Sequence, residues 1–334
     1  MLRATGCGRR IAPVVARSPV VGCGRYRGGV SDRPEQAVNA AGPGAPPSTP
    51  HDPDPSTAAG APRTRTRDVS LGRQLDAGAA PVDRPAAGMW LLYAALGFLG
   101  GQVLAALLAA VAAAIAGQYH QLTALSKLAE PPTWFVMSTL LGLWGGFLGA
   151  GVLASRLRGT SRLTTDLGLR FRWIDVLGIP IGIAGQYLVA LMYVPIKPHV
   201  HDFSQRFSAP AQRLTGGSHG PGYAVIVIAT VVGAPFFEEL FFRGVLLRAF
   251  ARLFGRFGRW VGPCLAVLVS GVLFGLAHAE SLQLLGLATF GVILGAVSYR
   301  TGRLGMNMVA HASFNALALA AVVVPALAGA RGLV

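Results

Sequence analysis

The stretch Gly222–Gly244 reads GYAVIVIATVVGAPFFEELFFRG, and its charged residues are Glu238, Glu239 and Arg243. A helix of this length rises by about 35 Å, which is enough to cross the hydrocarbon core of a bilayer. Four phenylalanines surround the two glutamates, so a solvated helix face does not explain them. Charged groups at membrane depth are costly and mark functional sites. The stretch therefore predicts a transmembrane helix that carries a polar site.

Further apolar stretches predict that the chain crosses the membrane several times. They cover residues 89–117, 133–154, 174–196, 262–279, 282–299 and 304–328. The composition agrees, since 52% of the 334 residues are hydrophobic and 13% are charged. We therefore expect an all-α fold, a polytopic membrane helix bundle of about seven transmembrane helices.

Residues 1–86 differ from the rest of the chain. They are rich in Arg, Pro, Gly and Ala and have no periodic apolar pattern. Such a composition buries too little surface to fold, which predicts a disordered N-terminal tail. A start codon at Met89 is the other interpretation of this segment. Residues 87–334 are predicted to form the transmembrane domain.

The net charge of +15 comes from arginines in the tail and in alternate loops. The arginine-rich loops lie at residues 156–172, 248–259 and 300–303. Under the positive-inside rule they predict a cytoplasmic N-terminus and an external C-terminus. The Ala-, Arg- and Gly-rich composition is typical of a high-GC bacterium, so we expect a bacterial plasma membrane with an anionic cytoplasmic leaflet. Residues 245–259 predict a basic amphipathic helix on that leaflet. The arginines do not follow one face of a soluble domain, so we expect no nucleic-acid partner.

The adjacent glutamates are predicted to have different roles. Glu239 and Arg243 are one helical turn apart and can form an ion pair. Glu238 points about 100° away on the helix, so it cannot share the arginine equally. An unpaired carboxylate in apolar surroundings is a candidate general base.

Two later helices supply the other polar groups. His278 follows Phe274 by one turn, so the phenyl ring can buttress the imidazole, and His311 and Asn315 share one helix face. Hydrolysis of a peptide bond needs a base for water and donors for the oxyanion. We predict that Glu238 and His278 polarise the water. His311 and Asn315 are predicted to donate hydrogen bonds to the oxyanion.

Together, Glu-Glu-x-x-x-Arg, Phe-x-x-x-His and His-x-x-x-Asn resemble the motifs of the CPBP family of intramembrane glutamic endopeptidases. That family includes CAAX prenyl proteases and bacterial relatives linked to bacteriocin processing and immunity. The resemblance covers residues 222–320 and implies a metal-independent endopeptidase, without a cofactor, acting on a peptide or membrane-associated protein. It implies catalytic roles for Glu238, His278, His311 and Asn315, and supporting roles for Glu239, Arg243 and Phe274.

Other interpretations of the same residues stay open. Two histidines and two glutamates can hold zinc, although no His-Glu-x-x-His occurs on one helix and Arg243 is expected to engage Glu239. A catalytically silent membrane scaffold or bacteriocin-immunity-type protein would keep the polar cluster for packing. A proton-coupled transporter would use it as a relay, but the first three predicted helices lack a matching polar motif.

The predicted depths of the site residues disagree with one another. Counting along the predicted helices places Glu238 and His311 on the cytoplasmic side of the membrane centre and His278 towards the outer end. The difference is about 15 Å at 1.5 Å per residue. A tilted helix or a partly buried turn at 279–283 must close this distance for the site to form.

Overall fold

The computed structural model describes residues 70–73 and 84–330, and it describes side chains for 70–73 and 87–322. All regular structure in these ranges is helical, which confirms the predicted all-α fold. Most of the predicted N-terminal tail lies outside the described residues. Leu71, which belongs to that segment, is fully buried against Leu247 and Ala251.

The α-helices are numbered in chain order. They are α1 (Arg84–Ile115), α2 (Leu122–Lys127), α3 (Thr133–Arg158), α4 (Leu163–Asp166), α5 (Gly178–Tyr193), α6 (Phe203–Thr215), α7 (Pro221–Ile228), α8 (Ala234–Glu239), α9 (Leu247–Phe254), α10 (Gly258–Ala277), α11 (Leu284–Thr301) and α12 (Gly305–Ala330). Two π-helices, π1 (Ala229–Gly233) and π2 (Leu240–Leu246), link α7, α8 and α9 into one continuous helix. Short 3₁₀ turns lie at Tyr119–Gln121, Trp173–Leu177, Lys197–His199 and Gly255–Phe257.

Several helical stretches are long and apolar enough to cross a membrane. In the described ranges there are 6, at Ala87–Ile115, Thr133–Arg158, Trp173–Tyr193, Pro221–Ala277, Leu284–Thr301 and Gly305–Val322. The fourth contains 57 residues, and a straight helix of that length would be about 85 Å long, nearly three times a bilayer core. It turns back instead at Gly258, whose φ is +87°. The Ser270 hydroxyl then donates to the Phe242 carbonyl across the two arms, at 3.1 Å. This stretch thus contains two crossings, in agreement with about seven in all.

Alternate loops gather at opposite ends of the bundle. At one end the Leu304 amide donates to the Gly168 carbonyl at 2.9 Å, which joins loops 159–172 and 302–304. We call this end, which also includes the turn at 255–257, the arginine-rich end. At the opposite end the Gln283 side chain donates to the Phe207 carbonyl at 2.6 Å. The grouping matches the alternation of basic loops in the sequence, while the orientation of the two ends in a membrane stays a prediction.

The first crossings pack closely because they meet at small residues. A Cβ atom added to Gly142 or Gly146 of α3 would collide with the α1 backbone at Ala105 or Gly101. Small residues of this kind let membrane helices approach each other. The core cluster beside this hairpin includes Phe147 together with aromatic residues of π2. It fixes the helix that carries the glutamate pair.

Candidate active site

The glutamate pair lies on α8, between the two π-helices. A π-helix disturbs the regular α-helical hydrogen bonding, and such segments are frequent at functional sites. Here the Thr230 carbonyl of π1 accepts a hydrogen bond from the Asn315 side-chain amide, at 3.0 Å. The side chain of Glu239 is 0% exposed, whereas that of Glu238 is 16% exposed. Glu238 and Glu239, although adjacent in sequence, therefore have different environments.

Glu239 is held from several directions. Its Oε1 accepts from Arg243 Nη1 at 2.6 Å and lies 3.0 Å from His311 Nδ1. Its Oε2 accepts from Asn307 Nδ2 at 3.2 Å. Arg243 also donates to the Gly291 carbonyl at 3.0 Å. The ion pair predicted from the spacing of Glu239 and Arg243 is present, and it belongs to a larger buried network.

Glu238 faces the two histidines without a close hydrogen bond. Its Oε2 is 3.8 Å from His311 Nε2 and 3.9 Å from His278 Nε2. This oxygen is buried and has no hydrogen-bond partner in the part of the chain that the structure describes. Two imidazoles from different helices therefore converge on one carboxylate oxygen.

The partners of the Nδ1 atoms fix the tautomers of both rings. His278 Nδ1 lies 2.8 Å from the Phe274 carbonyl, and His311 Nδ1 lies against the Glu239 carboxylate. A carbonyl and an ion-paired carboxylate only accept hydrogen bonds, so both rings carry a proton on Nδ1. In a neutral ring the Nε2 atom then presents a lone pair towards Glu238, and in a doubly protonated ring it presents an N–H. Three acceptors around one point can bind a water molecule or share a proton.

Phe274 contacts both histidines and the arginine. Its buried ring meets the His278 ring at a centroid distance of 4.8 Å and the His311 ring at 5.4 Å, edge to face in both cases. The Arg243 guanidinium lies 4.5 Å from its centroid. Phe274 therefore contacts the His278 ring and also contacts His311 and Arg243, while its supporting role stays a prediction.

The depth difference expected for His278 is wrong. Its Nε2 reaches within 3.9 Å of Glu238 because both helices extend further than the apolar stretches indicate. The helix of Glu238 continues to Phe254, and α10 already begins at Gly258. Glu238 and His278 thus lie roughly 25 Å and 30 Å from the turn, at 1.5 Å per residue. Two long side chains span the remaining difference.

Asn307 is a site residue that the sequence interpretation missed. It is fully buried, and its Nδ2 donates to Glu239 Oε2 and to the Leu294 carbonyl, the latter at 2.6 Å. Both partners are acceptors, so the amide nitrogen must face them. The available signal was the four-residue spacing of Asn307, His311 and Asn315, which places all three on one face of α12.

No group of three or more His, Cys, Asp or Glu side chains within the described ranges has the arrangement of a metal site. In the converging group, His311 and Glu239 are already bonded to each other. The Nδ1 atom of His278 is likewise engaged by the backbone. The nitrogen and oxygen atoms that stay open are His278 Nε2, His311 Nε2 and the carboxylate of Glu238.

The fold and the site together define an integral membrane protein with a buried carboxylate and imidazole site in its C-terminal helices. Residues 220–317 match the family model described as type II CAAX prenyl endopeptidase Rce1-like. The match confirms the resemblance found in the sequence, and it supports a relationship of residues 220–317 to the CPBP/CAAX protease family. No curated protein and no solved structure matches the chain. The matched region includes every site residue from Glu238 to Asn315, which supports proteolysis of the CAAX protease type in a membrane.

Proposed function

We propose that the chain is an intramembrane endopeptidase in which Glu238 and His278 activate a water molecule. The observation that carries this proposal is the approach of Glu238 Oε2 to within 3.9 Å of both Nε2 atoms. A water about 2.8 Å from Glu238 Oε2 and His278 Nε2 is compatible with their separation. These two atoms would each accept a hydrogen bond from the water, so a lone pair of the water oxygen would face the substrate carbonyl.

The chemical steps balance with the groups at hand. As the water oxygen bonds to the carbonyl carbon, Glu238 takes one of its protons and the carbonyl oxygen becomes an oxyanion. When the carbon–nitrogen bond breaks, Glu238 returns that proton to the leaving amine. No covalent enzyme intermediate is formed. The substrate would be a peptide or a membrane-associated protein.

His311 and Asn315 are proposed to stabilise the oxyanion. In its doubly protonated form His311 has an N–H on Nε2, and the carboxylate of Glu239 behind it offsets the positive charge. Asn315 gives one amide N–H to the Thr230 carbonyl, so its second N–H stays available. Glu239 and Arg243 act through His311 as positioning residues.

We propose that this hydrolysis needs no metal ion. The ligand geometry described above supports this, because the Glu239 carboxylate that would complete a four-ligand set is already bound by three side chains. Zinc would instead be indicated if a chelator abolished cleavage and added zinc restored it.

The test compares full-length variants in the membranes of the producing cell. Mass spectrometry of membrane-associated peptides is expected to show at least one substrate that is cut by the wild type and accumulates uncut with Glu238→Gln or His278→Ala. Glu130→Gln is the matched control, since Glu130 is an exposed glutamate outside the site. Wild-type cleavage by Glu238→Gln, or identical peptide profiles for all variants, would overturn the proposal.

A further inference from the structure

Two arginines at the arginine-rich end have buried nitrogen atoms without partners. Arg248 is 3% exposed, and its Nη2 donates to the Gly302 carbonyl at 2.9 Å. Its Nε and the Nη1 of the partly exposed Arg252 are buried and have no hydrogen-bond partner in the described ranges. A buried donor without an acceptor is unfavourable, and the cost is larger for a charged group.

The charges around Arg248 are mostly positive. Those that act on it are the guanidiniums of Arg252 and Arg170 and the carboxylate of Asp166. The carboxylate is already occupied, because Asp166 accepts from the Ser155 hydroxyl at 2.6 Å and from the Thr160 hydroxyl at 2.9 Å. Asp166, which is committed to its own loop, is therefore the carboxylate that acts on both Arg248 and Arg252, and the Arg252 guanidinium also lies 4.3 Å from the centroid of the Trp90 ring.

Exposed tryptophans indicate the depth of this cluster in a membrane. Trp173 and Trp260 lie at the same end of the bundle and are 83% and 72% exposed. The Arg259 guanidinium lies 4.9 Å from the centroid of the Trp260 ring. Exposed tryptophan beside arginine is typical of the membrane–water interface, where lipid headgroups lie. We therefore expect the cluster to lie near the lipid phosphates.

We propose that Arg170, Arg248 and Arg252 form a binding site for a phosphate group carried by an anionic membrane lipid. Arg170 is exposed, Arg252 is partly buried and Arg248 is buried, so the three guanidiniums supply positive charge both at the surface and beneath it. Guanidinium groups bind phosphate oxygens through paired, charge-assisted hydrogen bonds. The site uses no residue of the proposed peptidase, so either proposal can fail without the other.

The test measures phospholipid binding to the purified full-length chain in a neutral detergent. Native mass spectrometry would count bound phosphatidylglycerol during a titration, with phosphatidylcholine as the zwitterionic comparison. Arg252→Gln and Arg170→Gln are each expected to weaken phosphatidylglycerol binding by about tenfold. The matched control is Arg256→Gln, because Arg256 is exposed, follows α9 directly and stacks on Phe257. It is expected to bind like the wild type.

Arg248→Gln is informative only together with a thermal unfolding curve, since Arg248 also supports the Gly302 carbonyl. The variants at Arg170 and Arg252 therefore carry the test. Competition with inorganic phosphate separates the two sources of the ligand: displacement of the lipid indicates a site that also takes free phosphate, and no displacement indicates a lipid site. Unchanged phosphatidylglycerol binding in both variants, or equal binding of phosphatidylcholine, would overturn the proposal.

Discussion

The two sides of the glutamate pair differ in how tightly they are bound. Around Glu239, three side chains hold the two carboxylate oxygens at distances between 2.6 and 3.2 Å. Around Glu238, the nearest charged or imidazole partners, His311 and His278, lie at 3.8 and 3.9 Å. A fully bonded carboxylate is suited to fixing geometry, while a loosely held one can exchange protons. Glu239 is therefore suited to positioning the site, and Glu238 is suited to proton transfer.

The largest expected difference between the two glutamates is in the free energy of unfolding after each is replaced by its amide. Glu239→Gln removes the countercharge of the buried Arg243 and should lower the free energy of unfolding by about 3–5 kcal/mol. Glu238→Gln should change it by less than about 0.5 kcal/mol, because Glu238 has no close hydrogen bond to lose. Thermal unfolding of both purified variants in the same detergent measures the difference. Equal destabilisation by the two substitutions would contradict the separation.

Removing Asn307 tests the outer part of the positioning network. Asn307→Ala leaves Glu239 Oε2 and the Leu294 carbonyl without this donor, which should cost about 1–2 kcal/mol of stability. If Asn307 positions His311, kcat should fall several-fold while KM stays near the wild-type value. Asn307→Asp is the second variant. It places a carboxylate against Glu239, and its activity relative to the wild type at the same pH should recover when low pH protonates the new group.

Asp166, at the arginine-rich end, is expected to make the stability of the fold depend on pH. Burial acts to raise the pKa of Asp166, but hydrogen bonds from Ser155, Thr160 and Arg162 outweigh it and hold the pKa below the usual value of 3.8. A lowered pKa in the folded state stabilises the fold above the pKa of the unfolded state, and this contribution is lost as the pH falls through the folded-state pKa. Stability should therefore decrease below about pH 4.

The measurement is thermal unfolding of the wild type and Asp166→Asn between about pH 3 and pH 6. Asp166→Asn should unfold at a lower temperature than the wild type at pH 6. The difference between their unfolding temperatures should become smaller towards pH 3. Ser155→Ala should show a smaller effect in the same direction. A difference that does not change with pH would show that the Asp166 hydrogen bonds are not linked to its ionisation.

The smallest expected effect concerns the turn after His278. Ala279 has a φ of +54°, a left-handed conformation that costs a residue with a Cβ atom about 1 kcal/mol. Ala279→Gly should therefore stabilise the fold by up to about 1 kcal/mol. The matched control is Ala277→Gly, at the last residue of α10, which should destabilise the fold. Destabilisation by both changes would contradict the assignment of strain to position 279.

The sequence predicts the helical class and about seven membrane crossings. Apolar length is sufficient for this, since a bilayer requires about 20 apolar residues per helix. The depth of His278 was not predictable in the same way. Apolar stretches end where polar residues begin, whereas the helices around Glu238 and His278 continue through the amphipathic segment to Phe254.

The π-helices and Asn307 show a second limit of the sequence. A π-helix depends on which carbonyls find partners in neighbouring helices, as Thr230 does in Asn315, and such partners are distant in sequence. Asn307 was visible only as an amide one turn before His311. Its role depends on the Leu294 carbonyl of α11, which fixes the amide towards Glu239.

The central claim is that Glu238 performs chemistry while Glu239 performs positioning. The most direct measurement is single-turnover cleavage of an identified substrate by Glu238→Gln, with Glu130→Gln as control, in variants shown to unfold at the wild-type temperature. The account predicts a loss of at least about 100-fold for Glu238→Gln, the range expected for a general base, and no change for the control. Cleavage by Glu238→Gln at the wild-type rate would contradict it.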